Sequence, residues 1–203
     1  MKINLFSGKM KSMVIKASKS QGLVCEARSL RSDRSEFKLS VNPTSADIKA
    51  DLILKTETTL PIPESSPFGI IQGSGEFEIV GVKVRGIGLE KEADEKKLRT
   101  IYIVEMDGLQ LCFLGSIQKD LDEGFLEKIG EVDVLFVNGD AEVKKTLSLI
   151  KDIDPRVVVC HSDKDAKLLG KELGQSVEQL DKAVIKRKDL EEEETKLIWI
   201  TEK

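Results

Sequence analysis

Alternating apolar and polar positions dominate the first quarter of the chain and predict a series of short antiparallel strands. The turns between them are rich in Ser, Lys, Gly and Asp, which end strands and reverse the chain. The predicted strands are Lys2–Phe6, Lys11–Ala17, Gly22–Arg28, Glu36–Val41 and, after one predicted helical turn at Ser45–Lys49, Asp51–Leu54. The N-terminal half is therefore expected to be mainly β-sheet.

Two β-hairpins are predicted between Gly73 and Ser116. Each joins two apolar runs through a glycine-containing turn, the strongest short-range hairpin signal in a sequence. The paired runs are Glu76–Ile79 with Val82–Ile87, through Val80-Gly81, and Ile101–Met106 with Leu111–Leu114, through Asp107-Gly108. The charged segment Glu90–Arg99 between the hairpins is expected to be a solvated loop.

Three prolines determine the secondary structure that we predict for residues 55–67. Pro61, Pro63 and Pro67 lack backbone donors and fix φ. We therefore expect this segment to be a loop without regular strand pairing.

The apolar period changes after residue 120 and predicts helices alternating with buried strands. The predicted elements are a helix from Leu121 to Ile129, a strand at Val132–Val137, a helix capped by Asp140 and ending near Ile153, a strand at Arg156–Cys160, a helix ending at Leu173, and strands at Ala183–Lys186 and Lys196–Thr201. Sheets followed by alternating strands and helices predict an α/β (α+β) fold in which helices cover sheets.

Composition narrows the class of protein. A chain of 203 residues with 40% hydrophobic and 33% charged side chains suits one globular domain, taken here as 1–203. Its net charge of −4 disfavours nucleic acid as the main partner, and Lys182–Lys188 is interpreted as a charged edge strand. We expect no membrane span and no secretory leader, and hence a cytoplasmic protein, with Cys25, Cys112 and Cys160 as reduced core thiols.

Several ordered segments resemble one known family. GSGEFEIVGVKVRGI, TIYIVEMDGLQLCFLG, IGEVDVLFV and IKDIDPRVVVCHS are similar to consecutive segments of the metallo-β-lactamase superfamily, especially its short lactonase-like hydrolases. The resemblance covers about Ala50 to the end. It implies a four-layer αββα sandwich of two mixed β-sheets, with the functional site along one edge.

The resemblance also implies where metal ligands would stand, and most of these positions lack them. The family's histidine-rich loop corresponds to a segment that contains Glu57 and Thr59, its next histidine corresponds to the neighbourhood of Glu90, and its bridging aspartate corresponds to Ser116. His161 is the one expected ligand that remains, and it is the only histidine in the chain. We therefore expect a remnant pocket formed by Glu57, Thr59, Glu90, Ser116 and His161, with no resident metal.

Two other arrangements stay open, the first of them only if the geometry that the resemblance implies brings Ser116 and His161 to one pocket. Ser116 and His161 could form a nucleophile and base, with Asp140 or Asp163 as the orienting carboxylate. Alternatively, oxygen ligands could hold Zn²⁺, Mn²⁺ or Mg²⁺ at a reassigned site. The candidate carboxylates are Glu57, Glu76, Glu78, Glu90 and Asp107.

The functional hypothesis follows from a retained scaffold with replaced ligands. It is a binding or assembly protein that does not hydrolyse its ligand, with a second copy or another protein as the partner. The competing hypothesis is a metal-dependent hydrolase of small phosphorylated or lactone-like molecules.

Overall fold

The fold is given by a computed structural model that describes residues 12–20, 22–27, 36–45, 47–62, 69–117, 121, 123–137, 143–190 and 195–202. It consists of two mixed β-sheets packed face to face. The two-sheet sandwich expected from the sequence is confirmed. The predicted strand Lys2–Phe6 and the predicted cap Asp140 lie outside the described residues.

Within the described residues, the first sheet has six strands. They are β1 (Met13–Ser18), β2 (Gly22–Ala27), β3 (Phe37–Val41), β4 (Leu52–Lys55), β6 (Ile70–Gln72) and β14 (Ala183–Ile185). Their order is β14-β1-β2-β3-β4-β6. The strands β3, β4 and β6 run parallel, whereas β14, β1, β2 and β3 are antiparallel neighbours.

The second sheet has nine strands in the part of the chain that the structure describes. They are β5 (Glu57–Thr59), β7 (Gly75–Ile79), β8 (Val82–Gly88), β9 (Lys97–Met106), β10 (Leu109–Phe113), β11 (Val134–Val137), β12 (Val157–Cys160), β13 (Val177–Leu180) and β15 (Lys196–Ile200). The order is β13-β15-β12-β11-β10-β9-β8-β7, and β5 also pairs with β9. From β10 to β13 the neighbouring strands are parallel, which places their carboxyl ends at one edge.

Three α-helices of the described ranges pack on the outer face of the second sheet. They are α1 (Glu123–Ile129), α2 (Val143–Ile153) and α3 (Asp163–Leu173), accompanied by 3₁₀ turns at Glu90–Glu92 and Arg187–Leu190. The helix α3 ends where Gly174 adopts a left-handed conformation, as the sequence predicted. None of the helices within the described ranges is long and apolar enough to cross a membrane.

Two apolar layers hold these elements together. The larger lies between the sheets and contains Phe37, Leu39 and Tyr102, each completely buried. The second lies between the helices and the second sheet and contains Leu135 and Val158. Because every strand of the second sheet except β5 and β7 contributes to both layers, that sheet is the rigid centre of the molecule.

The three cysteines are free and buried, which confirms the predicted core thiols. Burial raises the pKa of all three, that of Cys160 to about 12 with an added contribution from the charge of Asp165. Such thiols stay protonated at neutral pH and are poor nucleophiles.

Both predicted hairpins are confirmed. Val80 and Gly81 have φ values of 52° and 76°, and Asp107 and Gly108 have values of 55° and 78°. Two consecutive positive φ values are the requirement of the type I′ turn, whose twist matches that of the paired strands.

The segment after β4 differs from its prediction. It was expected to be a loop, yet Glu57–Thr59 pairs with Lys97–Arg99 as the short strand β5. The strand ends before Pro61, so the prolines limit the pairing without preventing it. The predicted helical turn at Ser45–Lys49 is also wrong, because the described residues there form no helix, and the strands β6 and β13 were not predicted.

Candidate functional site

A cavity of about 340 Å³ lies at one end of the sandwich, and we call it the end cavity. Phe113, Val137 and His161 reach it from the carboxyl ends of β10, β11 and β12. In sheets with parallel strands, ligands bind outside such carboxyl ends. The lining residues are Ala17, Ser18, Lys19, Gly22, Leu23, Val41, Asn42, Thr44, Thr56, Phe113, Gly115, Phe136, Val137, His161 and Glu202.

The floor of the end cavity is aromatic. The rings of Phe113 and Phe136 stack with their centroids 4.4 Å apart and their planes at 10°. The stacking follows from the register, because these two residues are partners on the parallel strands β10 and β11. Leu23 and Val41 contribute from the first sheet, so the floor is continuous with the apolar layer between the sheets.

One wall is formed by a hydrogen-bonded pair, Asn42 directly after β3 and Thr56 directly after β4. The backbone N–H of Thr56 donates to Asn42 Oδ1 at 2.9 Å, and Asn42 Nδ2 donates to Thr56 Oγ1 at 2.7 Å. Asn42 has a φ of 53°, a conformation that asparagine tolerates better than most residues. These contacts leave a neutral amide and a neutral hydroxyl at this wall.

Gly115 closes the same wall. Its φ is +64°, and a Cβ added there would lie 2.9 Å from both Cβ and Oγ1 of Thr56. Any side chain would therefore clash with Thr56 while holding an unfavourable backbone conformation. The end cavity keeps its shape partly because this position has no side chain.

Glu57 and Thr59 belong to β5 and are absent from the lining of the end cavity. The carboxylate of Glu57 accepts hydrogen bonds from Lys97 Nζ at 2.6 Å and Arg99 Nε at 3.4 Å. The hydrogen bond from Lys97 lowers the pKa of Glu57 and outweighs the opposing effect of burial. Glu57 is thus engaged in an ion pair on the surface of the sheet.

The remaining predicted site residues lie in different places. His161 is half-buried and lines the end cavity, whereas Glu90 lines a separate groove of about 480 Å³ beside β8 and β9. Ser116 is half-buried after β10 and is not part of the end-cavity lining. Asp163, one candidate orienting carboxylate, forms an ion pair with Lys167 at 2.8 Å, and the other, Asp140, is not described.

Sequence reasoning did not identify the other polar residues of the end cavity. Asn42 carried a turn signal, since it precedes proline, but nothing local indicated its bond to Thr56. Lys19 and Glu202 are 183 positions apart in numbering and meet at the cavity through tertiary structure alone. The shared position of Asn42, Lys19 and Glu202 at one cavity could therefore not be predicted without the fold.

The fold and the end cavity define the class: an α/β sandwich of two mixed sheets with a cavity at the strand ends. The family model for the beta-lactamase superfamily domain matches residues 28–161, and the chain belongs to that superfamily. No curated protein sequence matches the chain significantly.

Solved structures share this architecture at low sequence identity. A presumed Zn-dependent hydrolase of the metallo-β-lactamase superfamily from Thermotoga maritima is 18% identical, with a TM-score of 0.68 over 94% of this chain and 98% of that one. A presumed metal-dependent hydrolase from Parabacteroides distasonis is 16% identical, with a TM-score of 0.56 over 84% and 94%. YhfI of Bacillus subtilis, a metallo-β-lactamase fold protein, is 10% identical, with a TM-score of 0.57 over 87% and 99%.

The donor groups at the end cavity do not fit the metal centre that the family implies. Zinc takes at least three protein ligands even at an open catalytic site. Among the described residues that line the cavity, His161 and Glu202 are the only ones of the types histidine, cysteine, aspartate or glutamate. Across the described ranges, no three side chains of these types gather closely enough to hold a metal ion.

Proposed function

We propose that this protein binds a small organic molecule in the end cavity and does not hydrolyse it by the family's metal-dependent route. It retains the scaffold and the location of the superfamily site but uses them for recognition. Cavities of about 300–1,000 Å³ are typical of small-molecule sites, and the end cavity has about 340 Å³.

One observation carries this proposal: the type of donor present at the end cavity. The wall after β4, where the resemblance would place the first ligands, presents the neutral pair Thr56 and Asn42. A metal ion in a hydrolase lowers the pKa of bound water and polarises the substrate. A hydroxyl, an amide and one imidazole supply neither function, but they are well suited to hydrogen-bonding an organic ligand.

The alternative is a metal-dependent hydrolase with a reassigned ligand set. Two observations favour it: the structural likeness to the presumed metal-dependent hydrolases of Thermotoga and Parabacteroides, and the position of His161 at the carboxyl end of β12. In that case His161 would be a ligand, and substrates would be small phosphorylated or lactone-like molecules.

Elemental analysis of protein purified without added metal separates the two functions. We expect far less than one Zn, Mn or Mg ion per chain, and no esterase, lactonase or phosphodiesterase turnover that a chelator abolishes. His161→Ala is the matched variant, because it removes the one histidine. Stoichiometric metal in the wild type that is lost in His161→Ala, together with chelator-sensitive turnover, would overturn the proposal.

A further inference from the structure

Two opposite charges lie in the lining of the end cavity and are not paired. Lys19 and Glu202 are both exposed and both line the cavity. Within the described part of the chain, neither side chain forms a hydrogen bond or ion pair, with each other or with another residue. Both charges are therefore available to a ligand.

The backbone positions of these two residues are fixed. Thr44 Oγ1 donates to the carbonyl of Lys19 at 2.6 Å, which ties the β1–β2 turn to the segment after β3. Glu202 is the partner of Ala17 in a parallel bridge, so it lies beside the end of β1. The ammonium and the carboxylate thus belong to one side of the cavity.

The rest of the lining separates into apolar and neutral polar surface. Phe113 and Phe136 form the aromatic floor, and Asn42 and His161 add side chains that can form hydrogen bonds. A ligand that matched the whole cavity would combine one positive group, one negative group and a compact apolar body.

We infer that the end cavity recognises a small zwitterion of the α-amino-acid type with an apolar side chain. The ligand carboxylate contacts Lys19, its ammonium group contacts Glu202, and its side chain packs over Phe113 and Phe136. Hydrogen bonds to charged groups are stronger than those between neutral groups, so the two ends provide affinity as well as orientation. This inference rests on the proposed binding function and specifies the class of its ligand.

The test is to measure the affinity of the full chain for four probes by isothermal titration calorimetry. L-Phenylalanine carries both charges, 3-phenylpropionate lacks the ammonium group, phenethylamine lacks the carboxylate, and N-acetylphenylalaninamide lacks both. We expect phenylalanine to bind best. Each removed charge should reduce affinity by about tenfold to a hundredfold, because hydrogen bonds to charged groups are stronger than those between neutral groups.

Two variants assign the charges separately. Lys19→Gln should weaken phenylalanine and 3-phenylpropionate but leave phenethylamine unchanged. Glu202→Gln should weaken phenylalanine and phenethylamine but leave 3-phenylpropionate unchanged. Lys49→Gln and Glu178→Gln change exposed charges outside the cavity lining and should alter none of the affinities.

Three results would overturn the inference. They are equal affinity for phenylalanine and its uncharged analogue, saturable binding that neither cavity variant changes, and no saturable binding of any probe. None of these results bears on metal content. If the protein is metal-free and binds none of the four probes, the proposed function stands and the inferred ligand class is wrong. If it contains stoichiometric metal and shows chelator-sensitive turnover, the proposed function itself is wrong.

Discussion

Gly115→Ala tests whether the wall of the end cavity is as tightly packed as its geometry indicates. Gly115 has a φ of +64°, and an added methyl carbon would lie 2.9 Å from two atoms of Thr56. Gly174 provides a matched control, because its φ is +66° and an added carbon would meet nothing within 4 Å. Both substitutions place a side chain at a positive φ, but only Gly115→Ala also brings the added carbon into a clash with Thr56.

The expected magnitudes follow from that difference. A side chain in the left-handed region costs about 1–2 kcal/mol, which applies to both variants. Forcing a carbon into packed structure adds about 1–3 kcal/mol, which applies only to Gly115→Ala. Gly174→Ala should therefore lower the free energy of unfolding by about 1–2 kcal/mol, and Gly115→Ala by about 2–5 kcal/mol.

Urea unfolding followed by circular dichroism measures both values. The thermal midpoint should fall further for Gly115→Ala, by about 2–4 °C for each additional kcal/mol in a chain of this length. In a Thr56→Gly background the collision partner is gone, so the cost of Gly115→Ala should approach that of Gly174→Ala. Equal costs of the two glycine substitutions in the wild-type background would refute the packing argument.

Two further substitutions test the wall and the first sheet. Asn42→Gly keeps the positive φ but removes both bonds to Thr56, so urea unfolding should show a loss of about 1–3 kcal/mol; no loss would mean that these bonds do not stabilise the wall. Glu26 is 5% exposed, and although burial raises its pKa, the hydrogen bonds and charges of Lys16 and Lys38 outweigh this and lower it from 4.5. The stability that the ionised Glu26 carboxylate contributes is therefore present above the unfolded-state pKa and is lost as the pH falls through the lower folded-state pKa. Between about pH 5 and pH 3, the urea midpoint of the wild type should fall more steeply than that of Glu26→Gln. Parallel pH profiles would contradict this role of Glu26.

The hairpins could be predicted because their information is local. Val80-Gly81 and Asp107-Gly108 each supply two consecutive residues for a type I′ turn, and the apolar runs on either side fix the register. The position of His161 could be predicted for a similar reason, since it directly follows a continuously apolar strand. Local signals of this kind do not depend on the rest of the fold.

The formation of strand β5 and the joint presence of Lys19 and Glu202 at the end cavity are determined by residues far apart in the sequence. Glu57 becomes part of a strand because it meets Lys97 and Arg99, and its own neighbours include a proline-rich segment that indicates a loop. Lys19 and Glu202 come together because the bridge between Ala17 and Glu202 joins the two ends of the chain. Pairings over such separations are set by tertiary packing, which overrides local propensity.

The backbone at Glu57 and Thr59, two positions where the resemblance implies metal ligands, is held in the sheet by hydrogen bonds. The carbonyl of Thr56 accepts from Thr100 N–H at 2.9 Å, and Leu60 N–H donates to the carbonyl of Lys96 at 2.7 Å, so backbone pairing extends beyond both ends of β5. Within the strand, Thr58 is buried while its neighbours on both sides are exposed. A histidine placed at either exposed position would point away from the inner face, because side chains alternate along a strand. For this segment to form the family's histidine-rich metal-binding loop, its backbone would therefore have to leave the sheet. This requirement supports the proposal that the end cavity binds a small organic molecule.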